Sequence, residues 1–174
     1  MCKAHFVFWA ERNNYTWRFD MENVLKMEFS ALAENEAFAR AAAAAFVMPL
    51  DPTVEEVTEI KTAVSEAVSN CVIHGYGELC TDESFAKNES PTIVMECALE
   101  KGNRLTITIE DKGVGIDDVD QAMEPLFTTG DEEERSGMGF TVMQSFMDRL
   151  KVRSAKGEGT TVIMTKYLDV LGEY

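Results

Sequence analysis

Two acceptor-rich residues four apart, a carboxylate leading into a pair of glycines, and a second glycine pair opening an apolar run are the parts of this sequence that could do chemistry. Glu66 and Asn70 stand in "SEAVSNCVIHGY". At that spacing they fall about 40° apart around a helix axis and one turn along it, so they share a face. Alone, such a pair also fits a solvated helix surface. In "EDKGVGI" an apolar strand pattern ends in Asp111 and runs into Gly113 and Gly115. Glycine permits positive φ and lets a flat ligand approach the backbone. A carboxylate there can accept a hydrogen bond from an exocyclic amine such as a purine amino group, although a solvated turn reads the same way. In "DEEERSGMGFTVMQSF" the glycines Gly137 and Gly139 occupy the start of a helix. Unpaired N–H groups and the positive end of the macrodipole collect there, and without a Cβ an anion can come close, so these glycines read as a phosphate cradle. Arg135 beside them can add a charge-assisted contact, and residues 131–134 read as a solvated acidic lid. A fourth island, "GEGTTV", puts Gly157, Gly159 and Thr160 at the start of the last strand.

The elements that must hold these islands follow from periodicity. Leu25, Met27 and Phe29 alternate with Lys26, Glu28 and Ser30, a half-buried strand. An alanine-dominated helix runs from about residue 34 to 47 and stops before Pro49. "DPTVEE" offers two overlapping starts for the next helix, Asp51 capping with Pro52 at the first position, or Thr53 and Glu56 as a capping box. That helix is expected to reach His74, with Val57, Val64, Val68 and Cys71 on the side nearly opposite Glu66. A polar loop, "GYGELCTDESFAKNESP" over residues 75–91, precedes two alternating strands, 93–99 and 105–109, joined by a tight "KGN" hairpin. A short helical piece, a helix over residues 138–150 with Met138, Met143 and Met147 facing the core, and strands over 151–155 and 160–167 complete the pattern. The expected fold is an α/β two-layer domain, helices on one face of a mixed, mostly antiparallel sheet.

Composition narrows the ligands. The 174 residues, 45% hydrophobic, suit one domain, and 31 acidic against 16 basic residues leave a formal charge of −15. Without a basic cluster that charge argues against direct nucleic-acid or anionic-membrane binding. The longest apolar piece is broken by Pro49 and falls short of the roughly 20 residues of a membrane helix. Four scattered cysteines and two histidines do not make a metal-ligand pattern and read as free thiols in a reducing cytosol. Neither a P-loop nor a strand–GxGxxG–helix unit is present. Residues 1–20 hold six of the sixteen aromatics without sustained periodicity. They read as a tail, or as the product of an upstream start codon with Met21 the working start, ahead of a domain over residues 21–174.

Taken in order, Glu-x3-Asn on a helix, Asp-x-Gly-x-Gly after a strand, Gly-x-Gly before a helix and Gly-Thr into the last strand resemble the boxes of the GHKL (Bergerat-fold) ATPases and kinases. "DPTVEEVTEIKTAVSEAVSNCVIHGY" and "PLFTTGDEEERSGMGFTVMQSFMD" are similar to the anti-sigma serine kinases of sporulating bacteria within that family. The resemblance covers residues 23–167, leaves out the first twenty, and meets a longer loop at 77–91 than the family has. It implies a Bergerat-type ATP-binding fold. It implies Glu66 as general base toward a substrate hydroxyl and Asn70 as a ligand of Mg²⁺. Asp111 would bind the adenine amino group with Thr160 beside it, and His74 and Gly75 would lie at the helix end next to the nucleotide. Gly113, Gly115, Gly137 and Gly139 would shape pocket and lid, with Arg135 near the γ-phosphate or the docked partner. The implied cofactors are ATP and Mg²⁺. The implied partners are a sporulation sigma factor, an anti-anti-sigma protein phosphorylated on serine, and a second copy of the chain, in the cytoplasm. A related stress-type anti-sigma kinase and a nucleotide-dependent binding module without kinase activity are the alternatives.

Overall fold

The structure, a computed structural model, describes residues 23–77, 91–124 and 138–169. Its five strands are β1 (Asn23–Ser30), β2 (Thr92–Glu100), β3 (Arg104–Asp111), β4 (Arg149–Ser154) and β5 (Thr160–Tyr167). They form one sheet in the order β1-β2-β3-β5-β4. All four pairings are antiparallel, so the sheet expected to be mixed, mostly antiparallel, carries no parallel pair among the described strands. The reason is connectivity. β2 and β3 are joined by the three-residue turn 101–103, with positive φ at Gly102 and Asn103, and β4 and β5 by the turn containing Gly157.

One face of this sheet carries the core. Ile93, Met95, Cys97, Leu105, Ile107, Ile109, Val162 and Met164 alternate with partly exposed residues along β2, β3 and β5 and are fully or nearly fully buried. Each large side chain among them stabilises the fold by roughly 1.5–3 kcal/mol relative to exposure. Helices α1 (Ala33–Val47) and α2 (Val54–Asn70) cover that face. α1 packs with Ala39, Ala43, Ala44 and Val47, and α2 with Ile60, Ala63, Val64, Ala67 and Val68. The small residues let the two helices lie close. Arg40 donates to Ser65 Oγ at 3.3 Å and Ser69 donates to Glu36 Oε2 at 3.3 Å across their outer seam.

Of the two starts open to α2, the chain uses Thr53. Its hydroxyl accepts from the Glu56 N–H at 3.1 Å, and the Glu56 carboxylate accepts from the Thr53 N–H at 2.7 Å. Asp51 instead takes a left-handed conformation, φ 55°. The far end of Glu56 accepts from the Asp169 N–H at 2.8 Å, tying the end of β5 to the start of α2. At its other end α2 does not run to His74 as an α-helix. It widens at Asn70 into a π-helical turn, Cys71–Gly75, closed by the Tyr76 N–H on the Cys71 carbonyl at 3.0 Å.

Two expectations for the last third are corrected. The helix foreseen over residues 138–150 is α4 (Gly139–Phe146), after the short α3 (Val119–Ala122). Met147 is extended, the Asp148 carboxylate accepts from the Tyr167 N–H at 2.7 Å, and β4 begins at Arg149. The alternation of Leu150 and Val152 with Arg149, Lys151 and Arg153 overrides helical continuation, because it places both apolar side chains on the core side opposite Met164 and Val162. Met143 and Met147 are buried as foreseen. Met138 is 44% exposed and belongs to no core stripe.

Candidate functional site

The π turn at the end of α2 is where distant stretches of the chain meet. The turn brings Gly75 against the end of β3. A β-carbon on Gly75 would lie 3.1 Å from Asp111 Oδ1, and one on Gly113 would sit 2.1 Å from the Gly75 carbonyl oxygen, closer than any side chain can come. Three successive N–H groups after β3 are all anchored. Lys112 donates to the Tyr76 hydroxyl at 2.8 Å, Gly113 to Asp111 Oδ1 at 2.8 Å, and Val114 to the Gly75 carbonyl at 2.9 Å. The Tyr76 hydroxyl in turn donates to the Thr92 carbonyl at 2.6 Å. The turn carrying Asp111 is therefore fastened to α2 on one side and to β2 on the other.

The last hairpin closes the third side. Asp111 is paired with Thr160 across β3 and β5. Ser154 accepts from the Ile116 N–H at 2.8 Å and donates to the Gly159 carbonyl at 2.7 Å. Its single proton is then committed, so the 2.9 Å contact with Thr160 is a Thr160 hydroxyl donating to Ser154. Gly115, at φ 72°, stands against the Ala155 carbonyl in the same hairpin, and Gly157 donates to the Val114 carbonyl at 2.6 Å.

Asp111 itself is 3% exposed, a rare position for a carboxylate. Burial raises its pKa above the ordinary range. Hydrogen bonds from the Gly113 N–H, the Cys71 thiol and the Thr160 N–H work in the opposite direction, and the Glu110 charge adds a smaller upward push. Burial pushes the Cys71 thiol well up, and the neighbouring Asp111 charge adds to it. The Tyr76 hydroxyl is raised too, first by burial.

A second cluster lies roughly one and a half to two and a half turns back along α2. Glu66 and Asn70 share a half-buried face, and α4 begins over them. A β-carbon on Gly139 would come within 3.2 Å of Glu66 Oε2 and 3.3 Å of Asn70 Nδ2. His74 is exposed on the π turn and stands between Asn70 and Gly75 in the chain. Of the residues singled out by sequence, Glu66, Asn70 and Gly139 are thus brought together, as are Gly75, Asp111, Gly113 and Thr160. Arg135 and Gly137 lie outside the described residues.

Sequence reasoning missed three residues of this site. Ser154 gives no signal, being one serine at the end of a strand. Cys71 was placed on the apolar stripe and is buried in the core, where the Asp111 charge also acts on its thiol. Tyr76 looked like part of the polar loop, whereas it is nearly fully buried, its hydroxyl joining the Thr92 carbonyl to the Lys112 N–H. A separate cleft of about 400 Å³ on the outer side of α1 and α2, lined by Glu36, Arg40, Thr58, Lys61, Thr62 and Ser65, contains none of the residues picked from sequence. Among the described residues no group of three His, Cys, Asp or Glu side chains is placed to hold a metal, and no helix is long and apolar enough to cross a membrane. The two described cysteines, Cys71 and Cys97, are free and buried.

Comparison with known proteins sets this geometry in a family. Residues 29–166 match the histidine kinase-like ATPase domain. The anti-sigma F factor of Thermoanaerobacter sp. (strain X514) is 52% identical over 146 residues, which span 84% of this chain and 94% of that protein. That of Clostridium novyi (strain NT) is 51% identical, over 84% of this chain and 95% of its own length. Among solved structures, the RsbU and RsbW domains of Rv1364c from Mycobacterium tuberculosis superpose with a TM-score of 0.56 at 17% identity. That superposition spans 84% of this chain and 32% of the other, and it speaks for the fold alone. The chain therefore belongs to the histidine kinase-like ATPase domain family and, within it, to the anti-sigma F factors.

Proposed function

We propose that this protein is an anti-sigma factor that is also an ATP-dependent serine kinase, holding a sporulation sigma factor and phosphorylating a serine of an anti-anti-sigma partner. It works as a homodimer in the cytoplasm. The observation that carries this reading is the pair of clusters at two points of one helix. Asp111 meets Gly75 at the end of α2, while Glu66 and Asn70 meet Gly139 roughly one and a half to two and a half turns earlier. From Glu66 to Gly75 the chain climbs roughly 13 Å. A base can lie at the first cluster with its polyphosphate reaching the second.

Each residue then has a task. Asp111 accepts a hydrogen bond from the adenine 6-amino group, with Thr160 beside it, and Gly113 and Gly115 shape the pocket by letting its turn close onto the Gly75 and Ala155 carbonyls. His74 and Gly75 border the nucleotide between the clusters. The first N–H groups of α4, at Gly139 and with Gly137 before it, face the phosphates. Arg135 adds charge at the phosphate end or at the docked partner. Glu66 takes the proton from the partner's serine hydroxyl as that oxygen attacks, and the rest of the work is positioning and charge neutralisation.

The residues present fit a magnesium ion held mostly by phosphate and water. Asn70 offers a hard amide oxygen, and Mg²⁺ needs few protein ligands when it bridges phosphates. When bound, the ion neutralises phosphate charge in a protein of strongly negative net charge. The test is incubation of the protein with labelled ATP, Mg²⁺ and the candidate anti-anti-sigma protein. Label on a partner serine is the expected result; a partner that binds and stays unlabelled would make the chain a nucleotide-dependent binding module.

A further inference from the structure

Ser154, Thr160 and Asp111 stand in one row across the sheet, and the hydrogen bonds at one end of the row fix which way its middle hydroxyl points. Ser154 is paired with Thr160 across β4 and β5, and Thr160 with Asp111 across β5 and β3. All three lie on the core face, in step with Val152, Val162 and Ile109, so the Thr160 side chain stands between the other two. Ser154 has no capacity left. Its oxygen accepts from the Ile116 N–H at 2.8 Å, its one proton goes to the Gly159 carbonyl at 2.7 Å, and its second lone pair takes the Thr160 proton at 2.9 Å. The Thr160 proton therefore points toward β4. On the β3 side, where Asp111 is, the Thr160 oxygen has only lone pairs to offer.

We propose that Ser154 is a positioning residue for base recognition: by taking the Thr160 proton it leaves Thr160 and Asp111 as an acceptor-only edge, which suits an amino substituent on a ring and disfavours a carbonyl. The inference rests on the reading of Asp111 as the adenine acceptor and deepens it. Without Ser154 the Thr160 proton is free to turn to the Asp111 carboxylate or to a ring carbonyl, and either turn narrows the difference between the two substituents. A purely structural Ser154 predicts something else. Loss of its bonds to Ile116 and Gly159 would loosen the hairpin and weaken every nucleotide alike.

Calorimetry on the full chain compares ATP with ITP, which carries a carbonyl where ATP has the amino group. The proteins are the parent, Ser154→Ala, Thr160→Val and the double variant, each first checked for a cooperative thermal transition. The parent is expected to prefer ATP. Ser154→Ala should reduce the ATP-to-ITP affinity ratio by about fivefold, the worth of one hydrogen bond, whatever it does to both affinities together. Thr160→Val should reduce the ratio by a similar factor, and the double variant no further, since the serine then has no hydroxyl to orient. If Ser154→Ala does not fold, Ser154→Cys, which keeps the side chain's shape but accepts only weakly, takes its place with the same expectation. A Ser154 variant that keeps the parental ratio, or one whose effect on the ratio is undiminished in the Thr160→Val background, overturns the role of Ser154. A parent protein that does not distinguish ATP from ITP overturns the reading of Asp111 and this inference with it.

Discussion

Gly139 rests directly on Glu66: a β-carbon at Gly139 would stand 3.2 Å from Glu66 Oε2, with Asn70 Nδ2 at 3.3 Å. The start of α4 and the polar face of α2 are therefore one surface, and any atom added between them enters the site.

Gly139→Ala tests that contact. An alanine in the first turn of a helix is favoured over glycine by up to about 1 kcal/mol, so the fold should hold or gain slightly. Nucleotide affinity should fall by roughly tenfold, about 1.4 kcal/mol, because Glu66 and Asn70 must shift to admit the methyl group. Thermal melting and calorimetry read the two effects separately. A variant that binds ATP as the parent does would place the phosphates elsewhere.

Asp111 should impose a pH dependence on binding. Its folded-state pKa is raised, above all by burial, so it protonates at a higher pH than the ordinary aspartate value of about 3.9. The titratable groups that act on it are the Cys71 thiol and the Tyr76 hydroxyl, both raised, and the charge of Glu110 from the exposed face of β3. A raised carboxylate pKa means that ionisation disfavours the fold: its contribution to stability is fully present below about 3.9 and is lost as pH rises through the folded value. Binding runs the other way, since the 6-amino group needs the ionised acceptor. ATP affinity should therefore fall as pH drops toward the raised value, while Asp111→Asn should lose at least about tenfold at neutral pH and show a flattened profile. A parental profile that stays flat through the acidic range would contradict this.

Tyr76→Phe removes one hydroxyl and strands two backbone groups, the Lys112 N–H and the Thr92 carbonyl. Leaving buried partners unpaired costs about 1–3 kcal/mol each at most, so denaturant unfolding should show a loss in that range. The turn holding Asp111 loses its anchor on the β2 side. ATP affinity should drop in the folded variant, and unchanged stability would mean that water replaces the hydroxyl.

A chain beginning at Met21 should melt and bind ATP like the full chain. The composition changes at that point, and the 84% of the chain shared with its relatives already spans 94% of the Thermoanaerobacter protein. A large drop in melting temperature on truncation would show that the aromatics of residues 1–20 pack on the domain.

Much of this was legible in the sequence because the signals were local. Strand alternation at Leu25, Met27 and Phe29, the Thr53–Glu56 box and the "KGN" hairpin each depend on residues a few positions apart. So does the Glu66–Asn70 spacing, whereas Gly113, read as room for a flat ligand, is closed on that side by the Gly75 carbonyl. What was not legible depends on contacts between distant segments. α4 ends at Phe146 without glycine or proline, because pairing of Leu150 with Met164 competes with the next helical turn. Residues 70–75 look like one continuous helix in the sequence, and the π turn that brings Gly75 against Asp111 is not signalled by it. Tyr76 reads as part of a loop until its hydroxyl joins the Thr92 carbonyl to the Lys112 N–H.

Glu66 carries the central claim, and the rate of phosphoryl transfer to the partner serine in Glu66→Gln measures it most directly. The substitution is nearly isosteric and lies on the half-buried polar face of α2, so folding and ATP affinity should change little. General-base catalysis contributes about 10²–10⁴-fold, and the single-turnover rate should fall by that factor. Asn70→Ala, by contrast, should weaken ATP binding and transfer together. A Glu66→Gln protein that phosphorylates its partner at the parental rate would contradict the account.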